Sequence, residues 1–190
     1  MKAHSFFALA VFVFGALFAG GCGTAEATTE AGTRIYAFDT SGSAKDAHEQ
    51  YFNRGLHDLT SGDGRAHFVV YRFDVRPQEA YQGSSFGNDE EAAKMLKSTF
   101  DRSAGAKGTN LLKLFEELDK RLSGWSKPMS IRIYTDCGTE LMTQSEFKQL
   151  KALTQKWVDG GVNPRVSFVG VDTGYREMLR NHIAFPVVIE

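Results

Sequence analysis

The run Asp39-Thr40-Ser41-Gly42-Ser43 sets a carboxylate and two hydroxyls at alternate positions. Farther along stand Gly108-Thr109-Asn110 and Thr135-Asp136. Together Asp39, Ser41, Ser43, Thr109 and Asp136 offer two carboxylates and three hydroxyls, with no imidazole or thiolate required. Hard oxygen donors of this kind suit Mg²⁺, Mn²⁺ or Ca²⁺ rather than zinc or copper. An Asp-x-Ser-x-Ser string arises by chance in roughly one chain in twenty of this length, so the weight rests on the joint placement of the three segments. Each residue also has an ordinary structural use. Ser43 and Thr109 are both suited to capping a helix, and Asp136 to a turn.

The elements that must position these residues can be read from periodicity. The pattern predicts a strand over 34–38 that ends at Asp39, a helix over 44–59 with Ala47, Tyr51, Phe52, Gly55, Leu56 and Leu59 on one face, a turn at Gly62-Asp63-Gly64 and a strand over 67–73. The stretch 75–87 is ambiguous, with a short strand possible at 79–82. Helices follow over 88–103, opened by a capping box from Asn88 to Glu91, and over 111–122, closed by Gly124. A strand over 130–135 ends at Asp136, and a second capping box from Thr143 to Glu146 opens a helix whose apolar face is Phe147, Leu150, Leu153, Trp157 and Val158. A strand over 165–171, a helix over 174–182 and a strand over 185–189 complete the series, with Pro186 suited to an edge. Alternating strands and helices imply an α/β fold: a three-layer, open, mostly parallel central sheet with helices on both faces, of the Rossmann type. Ligands of such sheets bind beyond the carboxyl ends of the strands, where all three segments would converge.

In order, spacing and element context, Asp39-x-Ser41-x-Ser43, Thr109 and Asp136 resemble the metal-ion-dependent adhesion site of von Willebrand factor type A (VWA) domains. The resemblance covers about residues 33–190. It implies that Ser41 and Ser43 are direct hydroxyl ligands, that Thr109 coordinates directly in the ligand-bound state, and that Asp39 and Asp136 act mainly through coordinated water or switch between direct and indirect contact. It further implies Mg²⁺ (or Mn²⁺/Ca²⁺) as cofactor and a protein partner that presents a carboxylate. One departure stands out: many members place Gly directly after the final Asp, whereas here Cys137 intervenes before Gly138.

The N-terminus is expected to lie outside this domain. Lys2 precedes an uncharged apolar run, 6–19, that is shorter than the ~20 residues a spanning helix needs, and small residues follow. Residues 1–21 read as a secretory signal peptide. Ala19-Gly20-Gly21-Cys22 resembles a bacterial lipobox, although that family usually has Leu where Ala19 stands, and the resemblance makes Cys22 the lipidated residue. Residues 22–32 then read as a small, polar, flexible tether and 33–190 as the domain. The expected location is the bacterial cell envelope, with the outer membrane favoured because Gly23 is not the Asp that retains such proteins inside.

The remaining composition narrows the function. The formal net charge of −1 and the dispersed basic residues give no nucleic-acid footprint, and membrane association is expected through the lipid alone. Cys137 is the only cysteine besides Cys22, so no disulfide framework is available. His48 and His57 fall half a turn apart on one helix, and the histidines as a group are expected at surface or capping positions. No phosphate loop, nucleophile elbow or His-Glu-x-x-His motif occurs. The expectation is a binding module rather than an enzyme. A strand ending in Asp before Thr-Ser-Gly is also similar to phosphotransferases of the haloacid dehalogenase type, but Ser41 stands where those enzymes usually carry a second acid. A scaffold indifferent to metal is the third alternative.

Overall fold

The computed structural model of the chain describes residues 32–61, 66–84, 86, 88–101, 108–138 and 142–190. The expected signal peptide, Cys22, most of the tether and the Gly62-Asp63-Gly64 turn lie outside the described residues. Gly32, assigned above to the tether, already belongs to the fold. Its carbonyl accepts the His67 amide at 3.0 Å, and a Cβ there would stand 2.1 Å from the Pro128 carbonyl oxygen.

Six strands form one sheet: β1 (Thr33–Asp39), β2 (His67–Phe73), β3 (Gln78–Gly83), β4 (Met129–Tyr134), β5 (Arg165–Val169) and β6 (Val187–Ile189), in the order β3-β2-β1-β4-β5-β6. Every pairing is parallel except that of β2 with β3, which is antiparallel and carries an irregularity at Val70/Tyr71. The ambiguous stretch is therefore an edge strand reached by a short connection. Its residues are mostly exposed, which is why it lacked the apolar signature of its neighbours.

The sheet separates two apolar interiors. On one face, α3 (Leu111–Asp119), α4 (Gln144–Asp159) and α5 (Arg176–His182) pack with Ile35, Ile131, Ile133, Val166 and Phe168. On the other, α1 (His48–Thr60) and α2 (Asp89–Asp101) pack with Tyr36, Phe38, Phe68, Val70 and Tyr134. This is the three-layer α/β architecture the alternation predicts. Among the described residues, the strands, the helices and both interiors fall within 33–190. No helix among the described residues is long and apolar enough to cross a membrane.

Several boundaries differ from the periodic pattern for local reasons. The first helix opens as a 3-10 turn, Ser43–Ala47, before α1 begins at His48. The helix expected to reach Leu122 ends at Asp119, and Leu122–Gly124 is a separate 3-10 turn. The fifth strand stops at Val169 because Gly170 adopts a φ of +88°, in the left-handed region that side chains disfavour. The helix expected from Gly174 starts as a 3-10 turn and becomes α only at Arg176. Pro186 lies just before the edge strand β6 rather than within it.

Candidate metal centre

The two central strands β1 and β4 end side by side, and the three sequence segments meet at that end. Asp39, the last residue of β1, is fully buried. Its Oδ1 accepts the Ser41 amide at 2.9 Å, and its Oδ2 accepts both the Thr109 and the Thr135 hydroxyls at 2.6 Å. Burial pushes its pKa above the ordinary carboxylate value, although the hydrogen bonds from Thr109, Thr135 and Ser41 oppose that rise.

Ser41 is also fully buried, and its Oγ lies 3.0 Å from Ser43 Oγ and 3.3 Å from Thr109 Oγ1. Ser43 does not cap the helix behind it: the N-cap position is Gly42, and no side chain caps that turn. Thr109 is likewise released from capping. Asn110 takes that duty, accepting the Lys113 amide at 3.1 Å while donating to Glu146 at 2.9 Å. Glu146 belongs to the capping box with Thr143 that opens α4. The Thr109 hydroxyl is thereby left to face Asp39.

Asp136 follows β4 and is half-buried. Its Oδ1 accepts the Gly138 amide at 2.9 Å, and the Gly138 carbonyl accepts the Thr109 amide at 3.1 Å, which ties the second and third segments together. A Cβ at Gly138 would lie 2.9 Å from Ser43 Oγ and 3.4 Å from Asp136 Oδ1, so the bare backbone here lets the first and third segments approach. Cys137 has a φ of +65° and a fully buried side chain. Desolvation, reinforced by the charges of Asp39, Asp136 and Asp172, pushes its thiol well above the ordinary range and keeps it protonated.

All five expected residues are therefore brought to one end of the sheet. The donor set was tested against the demands of an ion. Six-coordinate Mg²⁺ at ~2.1 Å requires neighbouring ligand oxygens about 3.0 Å apart, and larger cations require somewhat more. The Ser43–Ser41 and Ser41–Thr109 separations of 3.0 and 3.3 Å match that spacing. No group of three or more His, Cys, Asp or Glu side chains suited to a metal occurs among the described residues.

Four neighbours escaped the sequence reading. Thr135 completes the cradle of Asp39 and also accepts the Cys137 amide at 2.8 Å; the hydroxyl residue directly before Asp136 was its only signal. Asp172 joins from the end of β5, its amide donating to the Asp136 carbonyl at 3.2 Å. Tyr51 lies fully buried on α1 with its ring against Gly170. His48, expected at a surface or cap, is instead half-buried against Phe100. Burial lowers its pKa, while the charges of Asp39 and Asp136 and a bond to the Asp39 backbone oppose that shift.

No protein-family model matches the sequence, and no curated protein matches it either. Solved structures do match the fold. Proximal thread matrix protein 1 from the mussel byssus aligns with a TM-score of 0.59 at 14% identity, over 84% of this chain and 43% of that one. The same protein with a zinc-occupied MIDAS motif (the adhesion-site motif) aligns at 0.54 and 18%, with the same coverage of 84% and 43%. A von Willebrand factor type A protein from Catenulispora acidiphila gives 0.57 and 15%, over 84% and 38%. Manganese-loaded TRAP protein from Plasmodium vivax gives 0.56 and 14%, over 84% and 68%. The chain spans less than half the length of the first two proteins. The shared property is the fold, which is that of a VWA domain.

Proposed function

We propose that this VWA-like domain is a divalent-metal-dependent binding module, with Asp39, Ser41, Ser43, Thr109 and Asp136 as its site and the carboxylate of a protein partner as its ligand. One observation carries the reading: the Ser43 hydroxyl and, from a separate segment, the Thr109 hydroxyl lie 3.0 and 3.3 Å from that of Ser41, next to the buried Asp39. A helix-capping or turn role explains none of that convergence. Neighbours of the same fold hold zinc or manganese, which supports a divalent ion; the hard oxygen donors of this chain suit Mg²⁺, Mn²⁺ or Ca²⁺.

Bound there, a cation would supply an electrophilic coordination position for an incoming carboxylate. The chain's own residues prepare that position. Asp39 accepts hydrogen bonds from the Thr109 and Thr135 hydroxyls, which points the Thr109 proton at the carboxylate and its lone pairs elsewhere. The Ser41 amide fixes the other oxygen of Asp39, and the Gly138 amide holds Asp136. Largely neutral hydroxyl donors leave the ion's charge uncompensated, which favours a charged oxygen from outside.

The same geometry disfavours the phosphotransferase alternative. A nucleophilic aspartate needs an accessible oxygen, whereas both oxygens of Asp39 accept hydrogen bonds and the side chain is fully buried. Attachment to the cell envelope through a lipidated Cys22, with the outer membrane favoured, belongs to this proposal as well.

The test is thermal unfolding of residues 33–190 with Mg²⁺, Mn²⁺ or EDTA. At a hundredfold excess over Kd, binding adds about 2.7 kcal/mol, or roughly 5–10 °C in Tm for a domain of this size. Ser43→Ala, which removes an exposed hydroxyl, should abolish the rise without lowering the metal-free Tm. Absence of any rise in the parent domain sinks the reading. Affinity capture run in parallel with Mg²⁺ and with EDTA tests the partner: retention unchanged by EDTA favours the scaffold alternative.

A further inference from the structure

The end of the sheet opposite the metal centre carries a second polar constellation. Register sets Arg34, Ser130 and Arg165 side by side across β1, β4 and β5. Two residues along, on the same face, Arg132 lies beside Ser167. Neighbouring strands are about 4.8 Å apart, so Arg34 and Arg165 flank Ser130 from either side. The opposite face of the same strands holds Ile35, Ile131 and Val166 in the core. A parallel sheet covered on both faces reads as nearly continuous apolar strands; β4 and β5 alternate instead, which marks this stretch of one face for polar contacts.

The carboxyl-terminal end of α1 walls the stretch with Asp58 and leaves a cavity of about 230 Å³. Among the described residues, three guanidinium groups and a single carboxylate line it. That carboxylate is already engaged. Asp58 accepts the Tyr134 hydroxyl and lies 2.8 Å from Arg132 Nε, and Arg132 reaches Glu190 at 2.7 Å as well. The cavity is thus rich in planar cationic donors and hydroxyls, the chemistry that recognises a phosphate group.

Its position identifies the source of the phosphate. Arg34 stands two residues after Gly32, so the cavity lies where the chain enters the domain, about 17 Å along β1 from Asp39. Nine residues lie between Cys22 and Gly32, a span of ten Cα steps and a reach of at most about 35 Å. We propose that this arginine–serine cavity receives the phosphate of an anionic phospholipid headgroup and turns the metal centre away from the membrane. The proposal rests on the Cys22 anchor reading. It does not rest on overall charge: the chain's 22 basic and 23 acidic side chains become 21 and 21 once Lys2, Glu26 and Glu30, all before Thr33, are set aside.

The test uses residues 33–190, which bear no acyl chain, in co-sedimentation with phosphatidylcholine vesicles with and without phosphatidylglycerol. The parent domain should bind the anionic vesicles about tenfold more tightly than the neutral ones. R34Q/R165Q should lose that preference. K148Q/K151Q, which removes two exposed charges from α4, should keep it. If R34Q/R165Q unfolds, R165Q alone, at an exposed strand start, should still lose about threefold. No preference in the parent domain, or equal loss in both double variants, overturns the proposal. The mass of the Cys22 peptide from the expressed full chain separates the two readings. An unmodified Cys22 with arginine-dependent binding removes the anchor and keeps the cavity; an acylated Cys22 without such binding does the reverse.

Discussion

At the scale of single residues, the centre depends on who holds which proton. Asp39 is buried, and desolvation raises its pKa in the folded state. A carboxyl raised on folding contributes stability that is fully present below the unfolded value of about 3.9 and is lost as pH rises through the folded value. The metal-free domain should therefore gain stability relative to Asp39→Asn as pH falls from 7 towards 4, and at pH 7 the Asn variant should melt no lower than the parent. Melting curves of both proteins across that window, in EDTA, check the sign. Gly138 makes the second residue-level prediction. A methyl group 2.9 Å from Ser43 Oγ must push the first segment away. Gly138→Ala should weaken Mg²⁺ binding at least tenfold, a change of about 1.4 kcal/mol readable by calorimetric titration. The convergence of the five candidate residues was legible in the sequence because oxygen donors at fixed offsets beyond strand ends are visible in one dimension. Thr135 and Asp172 were not: each differs from an ordinary strand-end residue only through a partner 96 or 36 residues away.

At the scale of elements, the helices show where local preference yields to packing. Gly55 lies in the middle of α1, where Ala is favoured by about 1 kcal/mol. A Cβ there would meet the Phe38 ring at 2.6 Å, and Phe38 is fixed by stacking on Tyr134 at 4.4 Å. Gly55→Ala should therefore destabilise, by about 1–3 kcal/mol despite the better propensity, and a urea midpoint measures the sign. Helix existence and buried faces were readable from spacing, as Tyr51, Gly55 and Leu59 show for α1 and Leu114, Phe115 and Leu118 for α3. The starts of α2, α3 and α4 were readable as well, two of them from capping boxes, whereas those of α1 and α5 were not. The 3-10 turn at Ser43–Ala47 uses residues with good helical spacing, no side chain caps it, and the Ser43 hydroxyl instead meets that of Ser41. The edge strand β3 was ambiguous because an exposed edge has no apolar period to display.

At the scale of the whole molecule, one sheet joins two interiors that share no helix. Leu118 is fully buried in one and Leu96 in the other. Each Leu→Ala change should cost about 2–5 kcal/mol. If the sheet couples the two halves, both variants should shift one calorimetric transition together; two separate transitions would show that the halves unfold independently. The layer architecture followed from alternation along the chain, and the strand order placed β1 and β4 at the centre, where their ends must meet. The polar stretch of β4 and β5 was present in the sequence as alternating Ser and Arg, but which face those residues occupy emerged only from register.

Cys137 gives the molecule a clock. Its thiol is fully buried and held protonated beside Asp39 and Asp136, and it is the only thiol in residues 33–190. An alkylating reagent can reach it only when that end of the domain opens, so the labelling rate counts openings too rare for bulk spectroscopy. Mg²⁺ held across the three segments should slow the count, and Ser43→Ala should make it insensitive to the ion. Mass spectrometry of timed samples would then report the breathing of the binding end, one cysteine at a time, without any introduced probe.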